Sequence, residues 1–197
     1  MICKRIGSFF MALFVAAVMS TAADAAVVTV FGDDLSFTYD DSTLYGSATV
    51  VGNNIFFLPT SFTAESLNGG SDLSNEILTI QIDVTTEGFV LTDFSLTELG
   101  DYFLEGSGAT VSVGGNFTVA SGTSAYSDTD SLSAGPLLVQ GAYTDWSVSS
   151  TIMLVDTAGW ASDASVLVTL ENILSAETLA NGEQAFIEKK IGAVGIM

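Results

Sequence analysis

The sequence predicts an all-β chain folded as a single antiparallel β-sandwich or jelly roll. Three observations predict it. Apolar and polar residues alternate with period two in segment after segment, most cleanly in Ile77-Leu78-Thr79-Ile80-Gln81-Ile82-Asp83-Val84, which puts one face in a core and one in water. Clusters of Gly, Asn, Asp and Ser punctuate these segments at short intervals, as in sandwiches built from hairpins. No heptad, fixed-period repeat or βαβ rhythm is present, which leaves antiparallel architectures.

The first 25 residues read as a signal peptide. Lys4 and Arg5 form a basic start, Ile6 to Met19 an apolar run shorter than a membrane span, and Ala23-Asp24-Ala25 a small-x-small cleavage site. Cleavage after Ala25 would remove Cys3, the only cysteine, and leave residues 26–197 as one domain with 22 acidic and two basic side chains. A surface so acidic repels phosphate backbones and anionic membranes, so nucleic acid and membrane insertion are excluded as partners of the mature chain. The expected location is secreted or extracellular, with the periplasm as the alternative. Disorder is not expected, because 48% of the chain is hydrophobic and 13 residues are Phe, enough for a core.

Taken in order, Ala26 to Phe31 is a Val-rich first strand, and Leu35 to Tyr39 alternates as a second. Leu44 to Val51 and Ile55 to Leu58 flank the turn Gly52-Asn53-Asn54, and Pro59 ends that pairing. Ser61 to Leu67 is extended, and Asn68-Gly69-Gly70 turns the chain into the Ile77–Val84 strand. In Phe89 to Leu99 the apolar phase shifts between Leu91 and Phe94, which predicts a bulge or two short strands, with a break at Gly100-Asp101 before Tyr102 to Leu104. Ala109 to Val113 and Phe117 to Ala120 are strands separated by a bulge or turn at Gly114-Gly115. Ser121 to Gly135, polar but for few residues, predicts a long surface loop, and Pro136 to Gly141 a short strand. From Thr144 to Val155, Trp146, Val148, Ile152 and Leu154 share one parity, so Trp146 is expected in the core. Val166, Val168 and Leu170 share a face of the next strand. Glu171 to Gly182 is rich in helix formers and closed by Asn181-Gly182, which predicts a short helix. Phe186 to Val194 is a closing strand, with Lys189 and Lys190 expected to pair with the acidic surface or blunt an edge.

Absences bound the chemistry. The chain has no His, and the mature domain would have no Cys and no Arg. Ser-His-Asp catalysis, thiol nucleophiles, structural zinc and guanidinium clamps are therefore excluded. No phosphate-binding Gly-Lys loop or dinucleotide fingerprint occurs. The chain is not expected to be an enzyme. A two-carboxylate glycosidase is the one mechanism these exclusions leave, with Glu98 and Glu105 as its pair, although solvated strand-edge carboxylates account for them as well. No cofactor is expected. Calcium is the one ion the composition favours, because hard oxygen ligands from Asp-rich loops suit it. Asp33-Asp34 with Asp40-Asp41, Asp72 with Glu76, and Asp128 with Asp130 are the clusters, the last two residues being the metal candidates. Ordinary acidic turns explain each cluster too. For sugar stacking, Trp160 and Tyr126 are the candidate ligand-binding residues, with Tyr143 also near a loop. Asn116-Phe117-Thr118 matches a glycosylation sequon.

Several short pieces resemble small exported bacterial proteins associated with the exosortase, or PEP-CTERM, sorting system. They are Ser36-Phe37-Thr38-Tyr39-Asp40, Ser66-Leu67-Asn68-Gly69-Gly70, Glu98-Leu99-Gly100-Asp101-Tyr102 with Gly106-Ser107-Gly108-Ala109, and Ala185-Phe186-Ile187-Glu188-Lys189-Lys190. The resemblance implies a secreted β-sandwich of the envelope or extracellular matrix without catalysis. This chain has no Pro-Glu-Pro motif, C-terminal apolar helix or following Arg cluster, so anchoring by that system does not carry over. The expected function is a non-enzymatic structural, cell-surface or matrix role with matrix proteins as partners. The alternative is a polysaccharide-binding module, calcium-assisted or not.

Overall fold

The computed structural model describes residues 26–154 and 163–196, which form twelve strands and no helix. In chain order they are β1 (Val27–Phe31), β2 (Leu35–Asp40), β3 (Ala48–Val51), β4 (Asn54–Phe57), β5 (Thr63–Leu67) and β6 (Ser71–Val84). The second half supplies β7 (Asp93–Glu105), β8 (Thr110–Ser121), β9 (Ser127–Leu137), β10 (Thr144–Met153), β11 (Ser165–Glu177) and β12 (Gln184–Ile196). Two sheets face each other, one ordered β1-β2-β6-β11-β8-β9 and the other β10-β7-β12-β4-β3. In the second sheet β5 pairs with the first half of β12 and β4 with the second half. Every pairing is antiparallel. The expected sandwich is what the described residues form. The expected signal peptide and the sugar-stacking candidate Trp160 lie outside them.

The core follows from alternation. Leu78, Ile80 and Ile82 of β6 are fully buried, as are Val166, Val168, Leu170 and Leu174 of β11 and Phe94, Leu96 and Leu104 of β7. Inward side chains of both sheets join in one apolar cluster, the arrangement of a face-to-face sandwich. Trp146 is buried as expected.

Five expectations are corrected. Glu171 to Gly182 is not a helix: β11 runs straight through to Glu177, burying Asn172, Leu174 and Ala176 on alternate positions. Tertiary pairing with β6 and β8 on both sides overrides local helix propensity. Ser121 to Gly135 is not a long loop, because β9 occupies Ser127–Leu137 as an edge strand. Its polarity reflects that edge, where only Leu132 and Ala134 turn inward to burial. Gly100 does not break the chain; β7 is one strand from Asp93, and the phase shift after Leu91 marks where it begins. Gly114-Gly115 is neither turn nor bulge against β11, with which β8 keeps one register. Last, Lys189 and Lys190 blunt no edge, because the closing strand β12 lies in the middle of its sheet.

Two glycines hold places no side chain can take. A Cβ on Gly100 would lie 1.9 Å from the Glu188 carbonyl oxygen and 2.6 Å from the Trp146 ring. That ring spans from β10 across Gly100 and donates its Nε1–H to the Glu188 carbonyl of β12 at 3.0 Å. A Cβ on Gly115 would lie 1.9 Å from the Glu171 carbonyl.

One end of the sandwich is closed by two side chains of the β11–β12 connection. Thr178 Oγ1 accepts the backbone N–H groups of Gly69 and Gly70 at 2.9 and 3.0 Å. Glu183 accepts the N–H groups of Gly108, Leu179 and Ala180 at 2.7, 2.8 and 2.9 Å. These bonds, that of Gly108 foremost, hold the Glu183 carboxyl below its ordinary pKa of 4.5. A depressed carboxyl stabilises the fold above its unfolded pKa, and this is lost as pH falls through the folded value. Glu183→Gln is expected to melt below the parent at pH 7, with the gap closing as pH drops under about 4.5. Thermal unfolding followed by circular dichroism at both pH values checks this.

Candidate functional site

The chain's two cations beyond residue 25, Lys189 and Lys190, lie at an irregularity in β12. Up to Lys189 the strand pairs with β7 in one register, and from Ile191 in another, with Lys190 as the extra residue. A bulge lets two consecutive residues escape strict alternation. Ala185, Ile187 and Lys189 face the core before it; Gly192, Val194 and Ile196 face the core after it. Lys190 turns to the outer face.

The inward side holds a buried polar cluster. Lys189 Nζ lies 2.7 Å from Glu98 Oε1, both side chains fully buried. Glu98 keeps the inward parity of Phe94 and Leu96 on β7. Asn172, from β11 of the opposite sheet, donates its Nδ2–H to the same Glu98 Oε1 at 2.8 Å. Tyr45 Oη lies 3.3 Å from Lys189 Nζ. The Tyr45 and Phe62 rings stand 4.8 and 5.1 Å from the amine, close enough for cation–π attraction. Burial pulls the Lys189 pKa down to about 8, against the opposing attraction of Glu98. Burial, and then the charge of Glu98, push the Tyr45 hydroxyl well above its ordinary range. Glu98 Oε2 and Asn172 Oδ1 are buried with no hydrogen-bond partner in the protein.

The outer face of the same sheet is laid out in rows. Phe103 of β7 stands opposite Phe186 of β12, and Tyr143, just before β10, packs against both at 5.3 and 6.2 Å between ring centroids. Tyr143 is 67% exposed. The next row is ionic: Asp145, Asp101 and Glu188 lie side by side across β10, β7 and β12. Lys190 pairs with Asp101 and, at 3.2 Å, with Glu188. Those two carboxylates, Asp101 first, hold the Lys190 pKa above its ordinary value. Beyond this row runs an open groove in two connected pockets of about 430 and 370 Å³. Leu99 and Ile191 lie where they meet, and Phe56, Ser95, Thr97 and Ser147 line them. Ala193 and Gly195 keep the floor low; a Cβ on Gly195 would lie 2.7 Å from both Asn54 Oδ1 and Ser95 Oγ.

The residues singled out from the sequence are dispersed. Glu98 and Glu105 do not form a carboxylate pair: seven positions apart on one strand, they sit on opposite faces, Glu98 buried and Glu105 exposed. The reading of Glu98 as a solvated carboxylate is overturned by its complete burial against Lys189. Lys189, expected at the surface, is buried for the same reason. Asp128 and Asp130 stand on β9 rather than in a loop. Asp128 accepts the Thr129 N–H at 2.8 Å, and Asp130 accepts the Ser150 hydroxyl of β10 at 2.6 Å. Among the described residues no three acidic or cysteine side chains gather as a metal site. In the other acidic clusters, Asp40 accepts from Ser42, Asp72 from the Glu65 N–H and Glu76 from the Leu44 N–H. Tyr126 is 44% exposed just before β9 and is not among the residues lining the groove. Trp160 lies outside the described residues. The sequon residue Asn116 donates to Glu171 across the strand pair at 2.5 Å.

Removing Glu98 would leave the Lys189 ammonium buried with no carboxylate. Glu98→Ala is expected to cost about 3–5 kcal/mol. Adding Lys189→Met should restore part of that, so the double variant costs less than the sum of the singles. Urea unfolding of the four proteins measures it. Additive losses would mean that the pair is not energetically coupled.

No protein-family profile matches the chain, and a search of curated proteins finds no significant relative.

Proposed function

We propose that this chain is an exported, non-enzymatic β-sandwich of the cell surface or extracellular matrix, and that it holds neutral polysaccharide on the outer face of the β10-β7-β12 sheet. The observation that carries the reading is the row order on that face. An exposed aromatic ring, Tyr143, is braced by Phe103 and Phe186. Beside it lies a row of carboxylates and an ammonium, and beyond that a groove edged by Ser, Thr and Asn. Sugar rings stack apolar faces on aromatics and turn hydroxyls to charged and amide acceptors, so rings beside polar rows suit a glycan chain. Bracing adds to this, because a ring fixed by neighbours loses little freedom on binding. The formal charge of −19 disfavours acidic glycans and nucleic acid. The leader-like first 25 residues support export.

Electrophoresis through gels containing soluble neutral glycans, such as hydroxyethylcellulose, glucomannan or dextran, tests this. Retardation by at least one is expected, and Tyr143→Ala should abolish most of it while leaving the melting temperature nearly unchanged. Migration unaffected by every glycan would overturn the polysaccharide reading.

A further inference from the structure

The buried cluster has the parts of a covalent bond-forming site. An amine, a carboxamide and a carboxylic acid are enclosed together in an apolar core, with both nitrogens on one carboxylate oxygen. We propose that Lys189 and Asn172 join in an intramolecular isopeptide bond, formed by the folded chain itself with Glu98 as the catalytic residue and with release of ammonia.

The step balances. Glu98 Oε1 takes a proton from the Lys189 ammonium, leaving a neutral amine. The amine lone pair attacks Asn172 Cγ, and the carbonyl π electrons move onto Oδ1. The tetrahedral carbon then re-forms its carbonyl and expels Nδ2. The expelled nitrogen keeps its two hydrogens and gains a third, passed by Glu98 from the attacking nitrogen, and leaves as ammonia. The remaining surplus proton stays on Glu98. The products are a Lys189 Nζ–Cγ Asn172 amide, a neutral Glu98 acid and ammonia, with no oxidant, reductant or co-reactant consumed.

The placement of the three groups around one carboxylate oxygen favours the step. The same oxygen contacts the nucleophile at 2.7 Å and the leaving nitrogen at 2.8 Å, so one group serves as base and then acid. Glu98 Oε2 and Asn172 Oδ1 have no competing partner in the protein, so the acid can turn to the carboxamide without breaking another bond. Burial favours the neutral amine, the nucleophilic form. Full enclosure excludes the water that would hydrolyse the carboxamide instead. Fixed neighbours also make the encounter unimolecular, with effective concentrations of about 10⁵ M or more in well-oriented cases. A buried ion pair is replaced by a neutral amide and acid, relieving the desolvation of two charges. The bond would tie β11 of one sheet to β12 of the other at their centres, in a chain whose single cysteine cannot form an internal disulfide.

Mass spectrometry of the purified, denatured chain tests the proposal. The parent is expected to be lighter than its sequence by one ammonia. Cleavage after Glu should release a branched peptide joining the fragment that begins at Asn172 to the one that begins at Lys189. Asn172→Ala keeps the Lys189–Glu98 pair and should show the full mass and separate peptides. Glu98→Gln, if it folds, should do the same, and Asn172→Asp should lose water in place of ammonia. A parent at full sequence mass would overturn the proposal. So would a mass deficit with the Lys189 peptide recovered unbranched, since the loss would then lie elsewhere.

Discussion

The contact on which the sandwich turns is the one among Lys189, Glu98 and Asn172. Each comes from a different strand, and Asn172 from the opposite sheet. An apolar core holds its sheets together without much preference for how they slide. A buried ion pair with a bonded carboxamide is directional, and any slip would leave a charge in hydrocarbon without a partner. Desolvation makes such a pair weak evidence of net stability. What it supplies is registration. Asn172 must sit opposite Gly115 on β8, and Lys189 opposite Gly100 on β7, and at both partner positions a Cβ would strike backbone. The small residues lie where the polar side chains need the strands closest.

The bulge in β12 links this interior to the surface. Without an extra residue, Lys189 and Val194 could not both face inward, since they lie an odd number of positions apart. With it, Lys189 enters the core and Lys190 reaches the carboxylate row on the outer face. Beside the bulge, the Glu188 carbonyl takes the Trp146 indole bond, and the Glu188 carboxylate takes Lys190. One backbone irregularity thus serves the core, the sheet and the outer row at once.

Much of the fold was legible in the sequence because alternation reports burial directly. Where one face is dry, as in β6 and β10, parity alone locates the core. The failures came where local cues outvoted parity. Glu171 to Gly182 looked helical because its residue types favour helices, yet Leu170, Asn172, Leu174 and Ala176 keep strict alternation. The edge strand β9 carries too few apolar residues for parity to register. Gly100 looked like a break because a missing side chain in a strand signals either an end or a close neighbour, and only the fold shows Trp146 above it.

The polar cluster was missed for a related reason, although its trace was present. Glu98 stands in phase with Phe94 and Leu96, Asn172 with Leu170 and Leu174, and Lys189 with Ile187. A single polar residue in an inward phase reads as noise or as a strand end. Three of them, of base, acid and amide type, read as a site only once the sheets are stacked, because Asn172 and Glu98 are 74 positions apart. The outer rows are harder still. Their meaning depends on which strands are neighbours, and β7 lies between β10 and β12 through pairings that no local pattern dictates. Inward charge is therefore recoverable from parity, whereas outward order across strands needs the topology.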